Sequence, residues 1–389
     1  MVEQQDTLSK TLKPSRIWFA VIIGLGITAW MFYRSFSEVS FVKVKSGGTY
    51  SWVDANGNQK IDLHDRKDFE YNPKGDFRIQ TATEVLKHIT WNGKTLFWLF
   101  AALLFTLGRD FFYMLRIRLL TKSHLSWKAS FYVIMLWEFA SALTPGVVGG
   151  AAVAMFILNR ESIAFGRATA IVIITAFMDN LFYVVMIPLV LITVGQAAFL
   201  DLGGNSSLFL AWWFWTGFGI IMAICLFLYL SIFWFPHLAG KFLLAIFSLP
   251  FIKRWKFVAR EWGKDIAIAA EEFQAEKRSY WIKIFLTTMG SWMSRYLVIN
   301  AVLNAFIDLG FLQNIIVLGK QLILWLFMLV SPTPGGSGVA EFAFGELLSD
   351  LTDSAILLAA LALIWRLISY FPYLLIGSLL LPSWIKRTR

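Results

Sequence analysis

The chain has 389 residues, of which 58% are hydrophobic and 15% are charged, and its mean hydropathy is +0.63. Soluble domains average about 25% charged residues, so this composition excludes a soluble globular protein and predicts an integral membrane protein. The net charge of +10 does not indicate nucleic-acid binding, because the basic residues cluster beside apolar stretches, as in the cytoplasmic loops of membrane proteins. The single cysteine, Cys225, excludes an intrachain disulfide.

Six uninterrupted apolar stretches are long enough to cross a bilayer as helices of roughly 20 residues. The first, 17–33, is followed by no small-residue cleavage site, so we expect a retained anchor rather than a cleaved signal. Two further apolar stretches, 129–158 and 314–349, are broken in the middle by proline and glycine. The remaining predicted spans are 95–117, 167–195, 208–235, 281–306 and 355–381.

The lysines and arginines predict the orientation of these spans. Basic clusters at 10–16, 116–128, 253–264 and 386–389 fall on one side only if both broken stretches enter the membrane and return without crossing it. We therefore expect two re-entrant hairpins and a protein of the cytoplasmic membrane with both termini in the cytoplasm. The long loop 34–94 is then outside.

Three landmarks recur along the chain at nearly one offset, which predicts an internal repeat. Each half contains a span, a broken hairpin and a span, and the number of crossings places the two halves in opposite orientations. Inverted repeats with broken helices are typical of secondary transporters, whose sites lie near the membrane midplane. The matching pairs are TPGVVG at 144–149 with TPGGSG at 333–338, Arg109 with Arg295, and DNLFY at 179–183 with RLISY at 366–370, at offsets of 189, 186 and 187 residues.

The predicted fold class is an all-α polytopic membrane protein with an inverted structural repeat and two re-entrant broken-helix hairpins. A small, partly β extracytoplasmic loop domain is added to it. The predicted organisation is an N-terminus and first span at 1–33, the loop domain at 34–94, repeat 1 at 95–195 with hairpin 129–158, a linking helix and basic cytoplasmic segment at 196–280, repeat 2 at 281–381 with hairpin 314–349, and a cytoplasmic tail at 382–389.

The two breaks predict a place for an anion. A helix resumes after each TPG, and a helix N-terminus offers unpaired N–H groups and the positive end of the dipole. Glycine lets a ligand approach the backbone, and proline ends the incoming half-helix without leaving an amide hydrogen unpaired. A single TPG is more simply explained as a packing kink. Two of them at repeat-equivalent positions favour a ligand cavity.

Charged residues at membrane depth support this interpretation, since they are costly in lipid and usually face a cavity or one another. Arg295 and Arg366 suit phosphate, because a guanidinium matches its oxygens. Internal ion pairing is the alternative, for instance Asp179 with Arg366, and Glu341 can serve as a dipole partner or as a proton carrier. The candidate substrate-binding residues are Arg109, Glu138, Thr144, Pro145, Gly146, Gly149, Gly150, Asp179, Arg295, Thr333, Pro334, Gly335, Gly336, Ser337, Gly338, Glu341 and Arg366.

The strings PTPGGSGVAE at 332–341 and WRLISYFPYLLIG at 365–377 resemble the transmembrane region of lysylphosphatidylglycerol synthases and related stand-alone flippase-like membrane proteins. The resemblance covers roughly 95–381 and implies that the protein moves or handles a phospholipid or polyprenyl-linked lipid. It also implies that the translocation path is lined by Pro334, Gly335, Gly336, Gly338 and Glu341, with Arg366 nearby. The sequence ends at Arg389 without a soluble aminoacyl-transferase domain, so lipid lysylation is not expected.

The outside loop contains a stretch similar to calcium loops of the EF-hand and dockerin type, which place oxygen ligands at alternating positions. Gln59 at the usual glycine position and a final aspartate instead of glutamate depart from that pattern. The alternative is a β-hairpin, because Asn56-Gly57 is a strong turn signal. The tentative calcium ligands are Asp54, Asn56, Asn58, the Lys60 carbonyl, Asp62 and Asp65.

The leading hypothesis is a flippase that moves an anionic lipid by alternating access, and a transporter of a small soluble anion is the alternative. An enzyme is not expected, because the four histidines form no metal cluster and no Ser/His pair lies at membrane depth. No GxxxxGK[ST] loop for ATP is present. Calcium is the one cofactor considered. The expected partners are the lipid substrate and, beyond it, a second copy of the chain or a lipid-synthesising enzyme, but no nucleic acid.

Overall fold

The computed structural model describes residues 40–44, 46–55, 66–80, 91–144, 146–200, 206–235, 271–329, 333–352 and 354–388, with single residues at 33, 57, 61, 241 and 331. The predicted first span 17–33 therefore lies almost wholly outside the described residues. The described α-helices are α1 (Gly93–Leu120), α2 (Trp127–Leu143), α3 (Gly146–Arg160), α4 (Phe165–Leu200), α5 (Ser206–Phe233), α6 (Arg278–Phe306), α7 (Phe311–Leu329), α8 (Val339–Leu347), α9 (Ala355–Ser369) and α10 (Phe371–Arg387).

The predicted small β domain is present as one antiparallel sheet. Its strands are β1 (Ser40–Lys43), β2 (Tyr50–Trp52), β3 (Phe69–Tyr71) and β4 (Phe77–Gln80), in the order β1-β4-β2-β3. Phe41, Phe69 and Phe77 are buried together, and the rings of Phe41 and Phe69 stack with centroids 4.0 Å apart. Since Trp52 pairs with Phe69, these two strands are joined through residues 53–68 and not by a two-residue turn at Asn56-Gly57.

Five helical stretches in the described part are long and apolar enough to cross a membrane. The predicted span 281–306 forms helix α6 but is not among these five, since polar residues such as Arg295, Asn300 and Asn304 lower its hydropathy. Helix α7 is among them, although the sequence predicts it as half of a re-entrant hairpin. The re-entrant geometry therefore stays a prediction. The five stretches are Gly93–Leu120, Phe165–Gly195, Phe214–Phe233, Phe311–Leu329 and Ile356–Arg387.

Both predicted broken stretches are interrupted at the TPG motifs. Helix α2 ends at Leu143 and α3 begins at Gly146, while α7 ends at Leu329 and α8 begins at Val339. The second interruption contains three glycines with positive φ, namely Gly335 (57°), Gly336 (69°) and Gly338 (87°). A residue with a Cβ adopts this conformation only with strain, so the glycines are required by the backbone path.

The predicted span 355–381 is not one continuous helix. Tyr370 has φ −128° and ψ −57°, and it separates α9 from α10. Pro372 lies in the first turn of α10, where it has no amide hydrogen to continue the hydrogen bonding of α9. The break at Tyr370 brings this residue to the centre of the molecule, as described below.

Helices α1 and α6, which are equivalent in the predicted repeat, form an antiparallel pair. Near one end the Thr95 hydroxyl donates to the Ala305 carbonyl at 3.2 Å, and near the other the Tyr280 hydroxyl donates to the Leu119 carbonyl at 3.3 Å. The hairpins pack crosswise: α2 lies against α10 of the second half, and α7 lies against α4 of the first. This arrangement encloses a central space between the two halves.

Candidate functional site

A cavity of about 310 Å³ occupies this central space. Its walls come from α1, α2, α3, α4, α6, α7, the loop before α8, α9 and α10. Of the charged side chains that line it, four are arginines and two are carboxylates. The sequence-predicted site residues that line it are Arg109, Glu138, Thr144, Asp179, Arg295, Gly335, Gly336 and Arg366.

The first feature of the cavity is one carboxylate shared by two arginines. Glu138 on α2 forms an ion pair with Arg109 on α1, and its other oxygen lies 3.6 Å from Arg295 on α6. The neighbouring carboxylate of Asp110 accepts hydrogen bonds from the Tyr373 hydroxyl at 2.9 and 3.0 Å and does not line the cavity. Two guanidinium groups at this point therefore share one cavity-lining carboxylate.

Arg295 is the less completely paired of these two arginines. Its guanidinium carbon lies 4.8 Å from the ring centre of Trp292 and 5.7 Å from that of Trp325, which are cation–π distances. Its Nε is buried and has no hydrogen-bond partner among the residues that the structure describes. The charge is thus stabilised by aromatic faces and one carboxylate at 3.6 Å, and it has no closer ion pair among the described residues.

Asp179 has a partner that the sequence analysis did not give it. The hypothetical Asp179–Arg366 pair is wrong: Asp179 accepts from Arg116 at 2.6 Å and from Trp292 Nε1 at 2.8 Å. Arg116 also donates to the Thr288 hydroxyl at 3.1 Å. The charges of this pair compensate each other, so the pair stabilises the wall of the cavity.

Arg366 pairs instead within its own half. Its Nε lies 2.9 Å from Glu341 Oε1, and its NH2 donates to the Gly335 carbonyl and the Ser337 hydroxyl, each at 3.1 Å. The other Glu341 oxygen accepts the N–H of Gly338 at 2.7 Å, directly before α8. The expected free helix N-terminus is therefore occupied in the second half, because the carboxylate of Glu341 already serves as its anion.

Tyr370 connects the two helix breaks. Its hydroxyl donates to the carbonyl of Ala142, next to the first break, at 3.1 Å. Its ring covers Gly335 in the second break so closely that a Cβ there would lie 2.2 Å from the ring. The guanidinium of Arg366 stacks on the same ring at 3.8 Å. One aromatic side chain thus contacts both hairpins at once.

The remaining predicted residues shape the breaks without contacting the cavity. A Cβ at Gly149 would lie 2.5 Å from the side chain of Thr144, and one at Gly150 would lie 2.1 Å from the Ser141 hydroxyl, so both glycines permit close packing of α2 on α3. The Thr333 hydroxyl is 2.8 Å from that of Ser331. Pro334, Ser337, Gly338 and Glu341 lie behind the cavity wall, Gly146 begins α3, and Pro145 lies outside the described residues.

The predicted calcium loop lies mostly outside the described residues. Of its ligands only Asp54 is described, whereas Asn56, Asn58, Lys60, Asp62 and Asp65 lie outside the described residues. The part of the chain that the structure describes contains no group of three or more metal-ligating side chains. The calcium site therefore stays a prediction.

The sequence analysis missed several cavity residues. Arg116 was assigned to the basic flank of its span, yet it is buried and lies two helical turns after Arg109 on α1. A spacing of seven residues places two side chains on one helix face, so this signal was present in the sequence. The aromatic residues that line the cavity and were not predicted are Tyr113, Trp137, Tyr183, Trp292, Tyr296, Trp325, Trp365, Tyr370 and Tyr373.

Comparison with known proteins agrees with the motifs. The family model described as "Lysylphosphatidylglycerol synthase TM region" matches residues 78–377. The chain belongs to this family. A relative from Archaeoglobus fulgidus, described as "UPF0104 membrane protein", is 25% identical over 313 residues, which cover 75% of this chain and 88% of the relative. No solved structure matches significantly. The resemblance drawn from PTPGGSGVAE is thus confirmed, and the chain is an integral membrane protein of this family.

Proposed function

We propose that the protein moves an anionic phospholipid or polyprenyl-linked lipid across the cytoplasmic membrane by alternating access. The observation that carries the proposal is the pair Arg109 and Arg295 with the shared carboxylate of Glu138 in a cavity between the two halves. Arg295 has only the longer contact with this carboxylate, and a phosphate would pair more closely with its guanidinium. The tails of the lipid would stay in the bilayer while the headgroup crosses through the cavity.

The packing of the two halves supports alternating access. In an inverted repeat, equivalent helices run antiparallel and each half packs against the other in the same way. Helices α1 and α6 run antiparallel in this way. Near their middle Gly108 lies against Ser294, and these two residues are separated by 186 positions, which is the offset between Arg109 and Arg295. The crosswise contacts α2–α10 and α7–α4 have equivalent places in the predicted repeat. Two conformations of similar energy, open to opposite sides, follow from such symmetry.

Transport is proposed in preference to catalysis, because the charged groups of the cavity are paired arginines and carboxylates rather than an activated nucleophile. A lipid-synthesising enzyme would supply the substrate. Both termini are proposed to be cytoplasmic.

The test measures transbilayer movement of headgroup-labelled lipids in proteoliposomes. The Arg295→Leu variant should slow movement of an anionic lipid at least about tenfold, which corresponds to about 1.4 kcal/mol. Arg118→Leu is the matched control, because Arg118 is on α1 but stacks on Trp127 and does not line the cavity. Equal rates in the two variants would contradict the proposal. Complete competition by water-soluble phosphate would favour the soluble-anion alternative.

A further inference from the structure

A chain of amide side chains runs from the end of α6 to the cavity. Asn300 and Asn304 on α6 contact Asn314 on α7, and Asn300 also contacts Gln321, one of the cavity-lining residues. Asn300, Asn304 and Gln321 are all buried. Buried amides are costly unless they are hydrogen-bonded, so the orientation of each group in this chain is constrained by its neighbours.

The orientation of the chain follows from a backbone carbonyl, which can only accept. Asn300 Nδ2 donates to the main-chain oxygen of Asn314 at 2.8 Å. The Oδ1 of Asn300 must then face Gln321, and an oxygen there requires a donor opposite. Gln321 accordingly presents its Nε2 to Asn300, at 2.8 Å. The amide of Gln321 cannot be turned round without bringing two oxygens together.

In this orientation one oxygen atom of the chain, on Gln321, has no hydrogen-bond partner among the described residues. This atom, Gln321 Oε1, is buried. A carbonyl oxygen only accepts, so it cannot bind the phosphate that the arginines attract. It would instead accept from an O–H or N–H group.

The unpartnered oxygen and the proposed phosphate position belong to one cavity, because Gln321 and Arg295 both line it. Trp325 follows Gln321 by four residues on α7, which places both on one face of the helix. Trp325 is the residue whose ring lies 5.7 Å from the Arg295 guanidinium. An acceptor and a cation without a close ion pair therefore line the same cavity.

We infer that Gln321 selects a phosphodiester whose second substituent carries a hydroxyl or ammonium donor, with Arg295 holding the phosphate and Gln321 Oε1 accepting from the donor. The inference rests on the proposed function and names the substrate class within it. Asn300 is the positioning residue, because it fixes which end of the Gln321 amide faces the cavity. A headgroup without a donor would fill the same space and leave the oxygen unsatisfied.

The experiment compares two lipids of equal charge and nearly equal size. Phosphatidylglycerol carries two hydroxyls, and phosphatidylpropanol carries none. Binding of their short-chain forms to the purified protein is measured by calorimetry, and movement of the long-chain forms is measured in proteoliposomes. The wild-type protein should bind the glycerol lipid about tenfold more tightly. Glycerophosphoglycerol, which has no tails, is the third ligand, and binding equal to that of the lipid would identify a soluble phosphodiester as the substrate.

The variants assign the preference to its residue. Gln321→Leu should reduce the ratio of affinities to about one, and Asn300→Leu should reduce it too, because the Gln321 amide then becomes free to turn. Gln274→Leu makes the same substitution at an amide that donates to the Ile232 carbonyl away from the cavity, and it should keep the ratio. Gln321→Met repeats the test with a longer side chain if the leucine variant does not fold.

The outcomes separate this inference from the proposed function. Equal wild-type affinities for the two lipids would overturn the inference and leave lipid transport standing. A preference that persists in Gln321→Leu would overturn the role of Gln321. Absence of both binding and movement for either lipid would overturn the inference and the proposed function together.

Discussion

Glu341 serves two partners with its two carboxylate oxygens. One accepts the Gly338 N–H at the start of α8, and the other pairs with buried Arg366. Helix capping needs only an acceptor, whereas the ion pair needs a negative charge. The two roles can therefore be separated by a substitution that keeps the oxygen and removes the charge.

Glu341→Gln should lower the free energy of unfolding by about 3 kcal/mol, because it leaves the charge of Arg366 buried without compensation. Thermal unfolding in detergent can be followed with a thiol-reactive dye, since the single cysteine, Cys225, is buried. The double variant Glu341→Gln with Arg366→Gln removes both charges and should recover part of the loss. If the single and double variants had the same melting temperature, the broken ion pair would not be the cause of the lost stability.

Residue types at membrane depth were predictable, but their partners were not. The sequence identifies Arg366 and Asp179 as buried charges, and both line the cavity. The predicted pair between them is wrong. Equivalent positions in a repeat indicate a similar depth along the helices, but they do not indicate which way each side chain points. Glu341 is the closer partner of Arg366, through the turn at Gly338.

At the scale of elements, glycines determine how closely the hairpins approach the opposite half. Gly377 of α10 lies against Phe139 of α2, where a Cβ would be 2.3 Å from the ring. Between the spans α1 and α6, a Cβ at Gly290 would lie 2.8 Å from the ring of Phe112. Small residues allow helices in a membrane to pack closely and gain van der Waals contacts.

Gly377→Ala should therefore destabilise the protein by about 1–3 kcal/mol, because the methyl group forces α10 and α2 apart. Gly345→Ala is the matched control, since a Cβ at that position in α8 meets nothing within 4 Å. Alanine favours a helix by about 1 kcal/mol over glycine. The melting temperature of the Gly345→Ala control should therefore be no lower than that of the wild type. Similar losses in both variants would show that the α2–α10 contact is not responsible.

The elements themselves were largely predictable, since the helix interruptions lie at the two TPG motifs. The break at Tyr370 was not predicted, because its surroundings are as apolar as the spans on either side. Pro372 was the available signal, as proline in a helix interior removes a hydrogen bond. A role of Glu341 as dipole partner of α8 was one of two roles predicted from the sequence, whereas its contacts with Gly338 and Arg366 required the fold.

At the scale of the whole molecule, the topology rests on whether the hairpins return to the side from which they enter. Four exposed positions flank them: His124 and Ala164 around the first, and Asp308 and Ser349 around the second. Replacing Cys225 by serine gives a background without thiols, because it is the only cysteine. Each flanking position can then carry one cysteine.

In intact cells, an impermeant thiol reagent should label Asp308→Cys and Ser349→Cys. It should label His124→Cys and Ala164→Cys only after the membrane is permeabilised, because re-entrant hairpins leave both members of a pair on one side. Labelling of His124→Cys and Ala164→Cys from opposite sides would mean that α2 and α3 together cross the membrane. The inverted repeat would then be contradicted.

If the protein moves lipids as proposed, Tyr370 would help to keep the membrane sealed. A path wide enough for a headgroup is also wide enough for protons and ions, which would dissipate the gradients of the cell. The Tyr370 ring fills the gap at Gly335, and its hydroxyl is engaged by the Ala142 carbonyl on the other hairpin. Since neither hairpin can move away without losing a contact to the same ring, we expect that ring to act as the permeability barrier of the resting protein.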